Sequence, residues 1–261
     1  MLAICGLVVS IVGIVPIATA ASIGVSRRRR GRSVVAFDRR CPVDVVLTLS
    51  SETVTRTSKP IVRPLTGIGH VVGATEVSRC LARFYIKKTM RVHLSGHITS
   101  RLDGDEVILG GPSKNEEAAR FLRRIEAYCS VKEFFYSDQS PCSLRIVAND
   151  GRSFERYEYE TGISSGFPKQ DLCLIVAATT TNETGRRRRL ILCSGYTSYG
   201  TGAAAEYFFG EVAEMRGRQI KRLLGPASHF NGWGILVAEA EYSGVSMTRV
   251  TPLFSCGQVR E

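Results

Sequence analysis

The sequence predicts an α/β protein: a Rossmann-like three-layer sandwich with a mainly parallel sheet, antiparallel hairpin additions and one N-terminal transmembrane helix. Three observations predict this fold. The chain begins with a long uncharged apolar stretch, segments rich in Val, Ile and Leu alternate with amphipathic segments of helical period, and glycine-rich turns join the two kinds of segment. The length of 261 residues and the hydrophobic content of 44% allow a large core, which excludes a disordered or collagen-like protein.

The first predicted element is the apolar stretch of residues 2–25, which contains no charged side chain. As a helix it would be ~36 Å long, enough to cross the ~30 Å hydrocarbon core of a bilayer. Arg27–Arg30 and Arg32 follow it directly, and positive charge resists translocation, so we expect the domain after the helix to face the cytoplasm. A cleaved signal peptide is the alternative, because Ala18–Ala20 fits the small-residue cleavage pattern.

The domain organisation follows from this segment. Residues 1–26 are the predicted anchor, residues 27–42 a basic juxtamembrane tether and residues 43–261 the α/β domain. The protein would be a single-pass protein of the cell membrane, with membrane lipid as a partner through the helix and Arg27–Arg32. The rest of the net charge of +11 is diffuse, since 30 basic residues outside that run face 24 acidic ones, and no nucleic-acid partner is expected.

The next elements form a first strand–helix unit. Val43–Ser50 is a β-branched apolar run typical of a buried parallel strand, and residues 51–66 are a polar loop. After the glycine-rich segment Gly67–Gly73, apolar side chains of helical spacing predict a helix over Ala74–Lys87. The pattern of Arg91–Ser95 then predicts a second strand.

Two further strand–turn–helix units predict the rest of the core. In the second unit, Asp105–Leu109 is a strand and Glu116–Tyr128 a helix, with Ser113 and Glu116 spaced as a capping box. In the third unit, Leu190–Cys193 is a strand and Thr201–Met215 a helix. Turn residues between apolar runs predict three hairpins, whose strands are residues 143–147 with 154–159, 172–178 with 190–193, and 235–241 with 245–250.

Three loops of this predicted sheet are rich in Gly, Ser and Thr and lead into helix amino termini. Because the carboxyl ends of parallel strands open on one edge, we expect the loops to meet there, where free N–H groups and helix dipoles would hold a phosphate or a nucleotide-like ligand. The alternative is that the glycines only close tight turns and that Ser113 only caps a helix. The candidate ligand-binding residues are Thr66, Gly67, Gly69, Gly110, Gly111, Ser113, Lys114, Asn115, Ser194, Gly195, Thr197, Gly200 and Thr201.

The sequence does not match the stricter motifs for cofactor binding or catalysis. Residues 110–115 carry a lysine without phosphate-loop spacing, and residues 67–73 are one residue too long for a dinucleotide fingerprint, so no cofactor is predicted other than a nucleotide or phosphate ligand. No metal is predicted either, because the four-residue spacing of His93 and His97 suits a metal only on a helix, and this segment resembles the end of a strand. Ser198 lies between a strand and a helix, where the nucleophile of a serine hydrolase would stand, with His229 later in the chain. The bulk of Tyr196 opposes that strained turn, so the sequence favours a protein that is not an enzyme.

Two motifs carry a resemblance to known proteins. Val107–Asn115 together with Ser194–Ala205 resembles the paired GGP-x-x-N and A-G-Y…T-x-x-A-A signatures of archaeal surface-layer proteins, although Ser194 stands where that pattern has alanine. Arg63–Gly69, with the sequence R-P-L-T-G-I-G, is similar to a segment of uncharacterised membrane-anchored proteins of bacteria, in particular actinobacteria. The resemblance covers residues 43–216 and implies a Rossmann-like core whose signature loops are retained together.

Together these observations predict a membrane-anchored, cytoplasm-facing α/β domain that binds a phosphorylated or nucleotide-like ligand in a sensing or scaffolding role. Two alternatives stay open. One is a purely structural or interaction module whose glycine-rich turns are packing devices, and the other is a serine hydrolase that uses Ser198. An edge of the sheet filled by the protein's own side chains would favour the structural module.

Overall fold

The computed structural model describes residues 31–55, 61–85, 87–98, 102, 104–128, 131–138, 142–157, 168–181, 185–210, 220, 224, 232–244 and 246–259. Besides the helical residues 31–35, the helices within these ranges are α1 (Ile68–Phe84), α2 (Glu116–Tyr128) and α3 (Ser198–Ala205), which continues into a π-helical turn, Glu206–Gly210. The strands are β1 (Val43–Leu47), β2 (Ser51–Thr55), β3 (Ile61–Leu65), β4 (Met90–Leu94), β5 (Asp105–Leu109), β6 (Val131–Ser137), β7 (Ser143–Ala148), β8 (Ser153–Tyr157), β9 (Gln170–Thr181), β10 (Arg187–Gly195), β11 (Gly232–Ser243) and β12 (Ser246–Val259).

Seven strands form one mixed sheet in the order β4-β1-β5-β10-β9-β11-β12. The pairs β4–β1, β1–β5 and β5–β10 are parallel, whereas β10–β9, β9–β11 and β11–β12 are antiparallel. The prediction of a mainly parallel sheet in a Rossmann-like sandwich is therefore wrong. Hairpins lead into β10 and β12, and a hairpin joins antiparallel strands. The half of the sheet from β10 to β12 is therefore antiparallel.

The predicted transmembrane helix has no counterpart among the described residues. No helix among the described residues is long and apolar enough to cross a membrane, and residues 2–25, on which the prediction rested, lie outside the described ranges. The described part of the predicted tether packs on the domain. Residues 31–35 are helical, Val35 and Phe37 are buried, and Arg32 Nε donates a hydrogen bond of 2.6 Å to the Phe84 carbonyl oxygen.

Alternation of side chains along the strands divides the core into two clusters. One face of the sheet, through side chains such as Val45, Leu109 and Cys193, packs on α1 and α3. The opposite face, through side chains such as Ile108 and Leu192, packs on α2 and on a second sheet with the order β6-β7-β8. Because both faces are covered, β1 and β5 are buried at every position, including the charged residues Asp44, Asp105 and Glu106.

Several elements differ from their predicted bounds. α1 begins at Ile68 rather than Ala74, because the glycines that suggest a loop lie inside the helix where α3 approaches it. The predicted polar loop contains the β2–β3 hairpin, and α3 begins at Ser198 rather than Thr201. The sequence prediction lacks β6, which pairs with β7 in the second sheet. The main effect on the candidate loops is that the first and third become shorter.

Candidate functional site

The carboxyl ends of the parallel strands align at one edge of the main sheet. Leu47 of β1 is in register with Leu109 of β5, and Leu109 is in register with Cys193 of β10. The residues that follow are joined across this edge. Thr48 N donates to the Leu109 carbonyl oxygen at 3.1 Å, and Gly110 N donates to the Cys193 carbonyl oxygen at 3.0 Å. The three predicted loops therefore begin side by side.

Between β1 and β5 the chain leaves the edge in opposite directions. From β1 it passes through α1 to β4, whereas from β5 it continues through α2 towards β9 and β10 on the other side. Open α/β sheets bind ligands at such a switch point, because the two loops diverge there. We call this place the β1–β5 junction and define it by Thr48, Thr66–His70 and Gly110–Asn115.

The first loop holds His70 at the junction. His70 is the third residue of α1, is 5% exposed, and accepts a hydrogen bond of 3.2 Å at Nδ1 from Gly67 N. Thr66 Oγ1 lies 3.0 Å from the same nitrogen and donates to the Thr48 carbonyl oxygen at 2.8 Å. The imidazole therefore caps α1 and ties the loop to the end of β1.

The other ring nitrogen of His70, Nε2, is an oriented donor. We assign the proton of the neutral ring to Nε2, because Nδ1 can then accept the hydrogen bond from Gly67 N. Nε2 makes no hydrogen bond to any residue that the structure describes, and it lies 3.1 Å from the point that a Cβ on Gly110 would occupy. Burial lowers the pKa of His70 to about 4, so the ring is neutral at physiological pH. The ring nitrogen assigned as the donor thus faces the end of β5.

The amino terminus of α1 beside His70 has further unused donors. The N–H groups of Ile68 and Gly69 donate to no residue within the described ranges, whereas those of the next two residues bond to the Gly67 carbonyl oxygen. α1 is 17 residues long and has no acidic residue in its first turn. The positive end of its dipole is therefore not compensated by a carboxylate of that turn.

Gly110 and Asn115 fix the second loop against β1. Gly110 has a φ of 119°, which favours glycine, and a Cβ there would overlap Thr48 Oγ1. Asn115 Oδ1 accepts hydrogen bonds of 3.1 and 3.3 Å from two N–H groups in the first turn of α2, while its Nδ2 donates to Thr48 Oγ1 at 3.3 Å. Asn115 is thus the cap of α2, and the predicted capping role of Ser113 is wrong.

A carboxylate occupies the outer part of the second loop. Asp138 accepts hydrogen bonds of 3.1 Å from Ser113 N and 2.8 Å from Ser113 Oγ, and a Cβ on Gly111 would overlap its Oδ2. Lys114 is exposed and makes no ion pair with a described residue, while its carbonyl oxygen accepts a hydrogen bond of 3.1 Å from Ser95 Oγ. The loop therefore presents one ammonium group and one carboxylate to its surroundings.

Asp171 of β9 fills the third loop. Its buried carboxylate accepts hydrogen bonds from Tyr196 N, Thr197 N, Thr197 Oγ1 and Gly200 N at 3.1, 3.1, 2.5 and 2.8 Å. Burial raises the pKa of Asp171 to about 6, against the effect of these hydrogen bonds, so the group is mainly ionised at neutral pH. The carboxylate occupies the place that an anion would take at the amino terminus of α3.

The remaining candidates of the third loop face the interior. Ser194 Oγ is 2.8 Å from Tyr136 Oη, and the same hydroxyl donates to the Gly195 carbonyl oxygen at 3.1 Å. Thr201 is buried and bonds to the Thr197 carbonyl oxygen through N at 3.2 Å and Oγ1 at 3.4 Å. The polar side chains of this loop are thus engaged in holding the loop together.

Gly67 and Gly69 let the start of α1 touch the start of α3. A Cβ on Gly69 would overlap the Ser198 carbonyl oxygen, and a Cβ on Gly67 would lie 2.5 Å from Ser198 Cβ. Ser198 is the first residue of α3, behind the Thr197 cap, and bonds to no histidine among the described residues. His229 lies outside the described ranges. Among the described residues Ser198 therefore has no hydrogen-bonded histidine partner of the kind that the hydrolase alternative requires.

The structure separates the predicted candidates into two groups. Thr66, Gly67, Gly69, Gly110 and Asn115 lie at the β1–β5 junction with Gly111, Ser113 and Lys114 on its outer side, whereas those of the third loop surround Asp171. Sequence reasoning missed four residues at these loops: Thr48, His70, Asp138 and Asp171. His70 could have been found from its position just after the Thr66–Gly67 turn. The carboxylates could not, because Asp138 and Asp171 lie 25 or more residues from the donors they bind.

A scan against protein-family models and searches of curated proteins and of solved structures each found no match. The resemblance to archaeal surface-layer proteins and to membrane-anchored actinobacterial proteins stays a prediction. So do the cytoplasmic location and the lipid partner, which depend on residues 1–30 outside the described ranges.

Proposed function

We propose that this chain is a binding domain for a small phosphorylated, nucleotide-like ligand, held at the β1–β5 junction in a sensing or scaffolding role. The observation that carries the proposal is His70 Nε2, a nitrogen of a mostly buried side chain that is assigned as the protonated ring nitrogen and has no acceptor among the described residues. A ligand oxygen beside Nε2 would supply the missing acceptor.

The groups around Nε2 favour an anionic oxygen. The unused N–H groups of Ile68 and Gly69 mark the positive end of α1, a position that stabilises a negative charge by roughly 0.3–1 kcal/mol. Lys114 adds an exposed ammonium group from the second loop. Backbone donors at a helix amino terminus together with a lysine are a common arrangement for phosphate.

An exposed apolar surface adjoins this end of α1 and supports a ligand with an apolar body. Leu65 ends β3, and Ile68, Val71 and Val72 lie in the first turns of α1, with Ile68 61% exposed. Small-molecule sites combine a few oriented polar groups with apolar lining. A nucleoside phosphate matches this combination better than a free inorganic anion does.

Two substitutions of His70 separate its two roles. The side-chain amide of Asn reaches the position of Nδ1, so His70→Asn keeps the acceptor for Gly67 N. The longer side chain of Gln reaches the position of Nε2, so His70→Gln keeps the donor that faces the ligand. Titration calorimetry of the full chain with inorganic phosphate and a panel of nucleoside monophosphates should detect binding to the wild type. We expect His70→Asn to weaken binding by about tenfold or more and His70→Gln to keep it within about threefold, since the lost hydrogen bond is worth about 1.4 kcal/mol.

The lysines provide a matched control for charge. Lys114→Ala removes the ammonium group at the junction, whereas Lys87→Ala removes an exposed one just beyond the opposite end of α1, ~25 Å away. Only Lys114→Ala should weaken phosphate binding. The proposal is contradicted if the wild type binds nothing in the panel, or if His70→Gln loses binding while His70→Asn keeps it.

The filled third loop favours a second candidate, an interaction or structural module without a ligand. A Cβ on Gly195 would lie 2.5 Å from Gly200 Cα, and one on Gly200 would lie 2.6 Å from Asp171 Cγ. At these two positions, glycine allows neighbouring atoms of the loop to pack closely. If no nucleotide binds, and the His70 variants alter only stability, this second candidate becomes the better one.

A further inference from the structure

We infer that the β1–β5 junction selects a ligand with a single phosphate group and discriminates against chains of two or three phosphates. This inference rests on the proposed function and names the ligand class of that same site. Its structural basis is that both neighbouring loops already hold a carboxylate of the protein, Asp138 in the second loop and Asp171 in the third.

The third loop offers no position for an additional phosphate. Loops that bind several phosphates use their N–H groups and a helix amino terminus as donors. Here the N–H groups of Tyr196, Thr197 and Gly200 all donate to Asp171, which is fully buried. A phosphate at this loop would have to displace a buried carboxylate and would be repelled by its charge.

The second loop is restricted by Asp138 in the same way. Its Oδ2 fills the space beside Gly111, and Gly111 follows Gly110, whose Cβ position is 3.1 Å from His70 Nε2. Since consecutive Cα atoms are ~3.8 Å apart, the carboxylate lies on the order of 12 Å or less from Nε2. A phosphate chain that extends from Nε2 along this loop approaches a fixed negative charge, which weakens its binding by about fivefold for each added charge at an intermediate dielectric constant.

The cationic groups at the junction are few. Lys114 is the exposed ammonium group of the second loop, and the amino terminus of α1 contributes about half an elementary charge. Together they compensate one phosphate group. A second phosphate would therefore meet Asp138 without a cation among the described residues of these loops to neutralise it.

Phosphate and pyrophosphate test this selectivity without the contribution of a base. Titration calorimetry of the full wild-type chain should give a lower Kd for phosphate than for pyrophosphate, although pyrophosphate carries more charge. Asp138→Asn keeps an acceptor for Ser113 and removes the charge, so the affinity for pyrophosphate should rise about fivefold more than the affinity for phosphate does. Asp150→Asn, in the exposed β7–β8 turn, is the matched control and should change neither Kd.

The outcomes separate this inference from the function on which it rests. If the wild type binds pyrophosphate as tightly as phosphate, or if Asp138→Asn leaves the ratio of the two Kd values unchanged, the selectivity is refuted and a phosphate site that depends on His70 survives. If neither anion binds, the proposed function fails and the selectivity fails with it. If Asp138→Asn does not fold, the Kd values of the wild type for phosphate and pyrophosphate still decide whether the site is selective.

Discussion

His70 makes the stability of the protein depend on pH in a defined direction. In the unfolded chain a histidine has a pKa of ~6.5, whereas burial lowers the pKa of His70 in the fold to about 4. Between these two values the unfolded chain binds a proton that the folded chain does not bind. The contribution of His70 to the free energy of unfolding is therefore complete above pH ~6.5 and decreases by about 3 kcal/mol as the pH falls to ~4.

Chemical denaturation of the wild type and of His70→Asn between pH 4 and pH 8 measures this contribution. We expect the stability difference between the two proteins to be largest above pH ~6.5 and to narrow steadily on acidification. Burial raises the pKa of Asp171 and of Glu106 and gives pH dependence of the opposite sign, but both groups are present in both proteins and cancel in the comparison. If the free energies of unfolding of the two proteins change with pH in parallel, the lowered pKa of His70 is contradicted.

At the residue scale, sequence reasoning finds polar residues but not their partners. The spacing of Ser113 and Glu116 indicates a capping box, yet Asn115 caps α2 and Ser113 binds Asp138. The glycines of the third loop are typical of an anion cradle, and the structure fills that cradle with Asp171 from another strand. Such contacts depend on which strands become neighbours, which no local pattern contains.

At the scale of elements, the sequence is informative where turn residues mark both ends of an element. β5 and α2 have the predicted bounds, because an apolar run between turn residues and a single apolar helix face specify them. α1 begins earlier than predicted because its first two turns contain glycines, which usually indicate a loop. These glycines are required by the close approach of α3, a tertiary contact that the helical period does not show.

Gly69 tests this close approach. Gly69→Ala should destabilise the protein by about 3 kcal/mol, because the new Cβ would overlap the backbone carbonyl oxygen of Ser198 and force the two helices apart. Gly210→Ala is the matched control, since its nearest neighbour would be 3.5 Å away, and its stability should stay within about 1 kcal/mol of the wild type. Equal urea midpoints for the two variants would show that the helices do not depend on this contact.

At the scale of the whole molecule, local sequence patterns do not predict the order and direction of the strands. The hairpin between β9 and β10 is predicted from its turn residues, but nothing in those residues indicates that β11 pairs with β9 or that β10 pairs with β5. Strand alternation with helices suggests a parallel sheet, and the structure is parallel only from β4 to β10. The candidate site lies in that parallel half, which is the half that the strand–helix pattern predicts.

The base of the sheet, opposite the candidate site, is held by Lys88, whose side chain is 3% exposed. It forms an ion pair of 3.1 Å with Asp105, which is 1% exposed, and donates to the carbonyl oxygens of Asp38 and Cys41. Lys88→Met removes the positive charge and leaves a buried carboxylate without its ion-pair partner, so we expect a loss of about 3–5 kcal/mol. Urea denaturation measures that loss, and hydrogen exchange should show residues 31–41 opening before the main sheet does.

Arg120→Met is the control for this last prediction, because it removes an exposed arginine that pairs with Glu116 and Glu117 on the surface of α2. Exposed pairs of this kind contribute about 1 kcal/mol or less. If Lys88→Met is no more destabilising than Arg120→Met, the buried pair does not join residues 31–41 to the sheet. If it is much more destabilising, the segment before β1 is part of the folded domain, and the boundary of the domain lies before Val43.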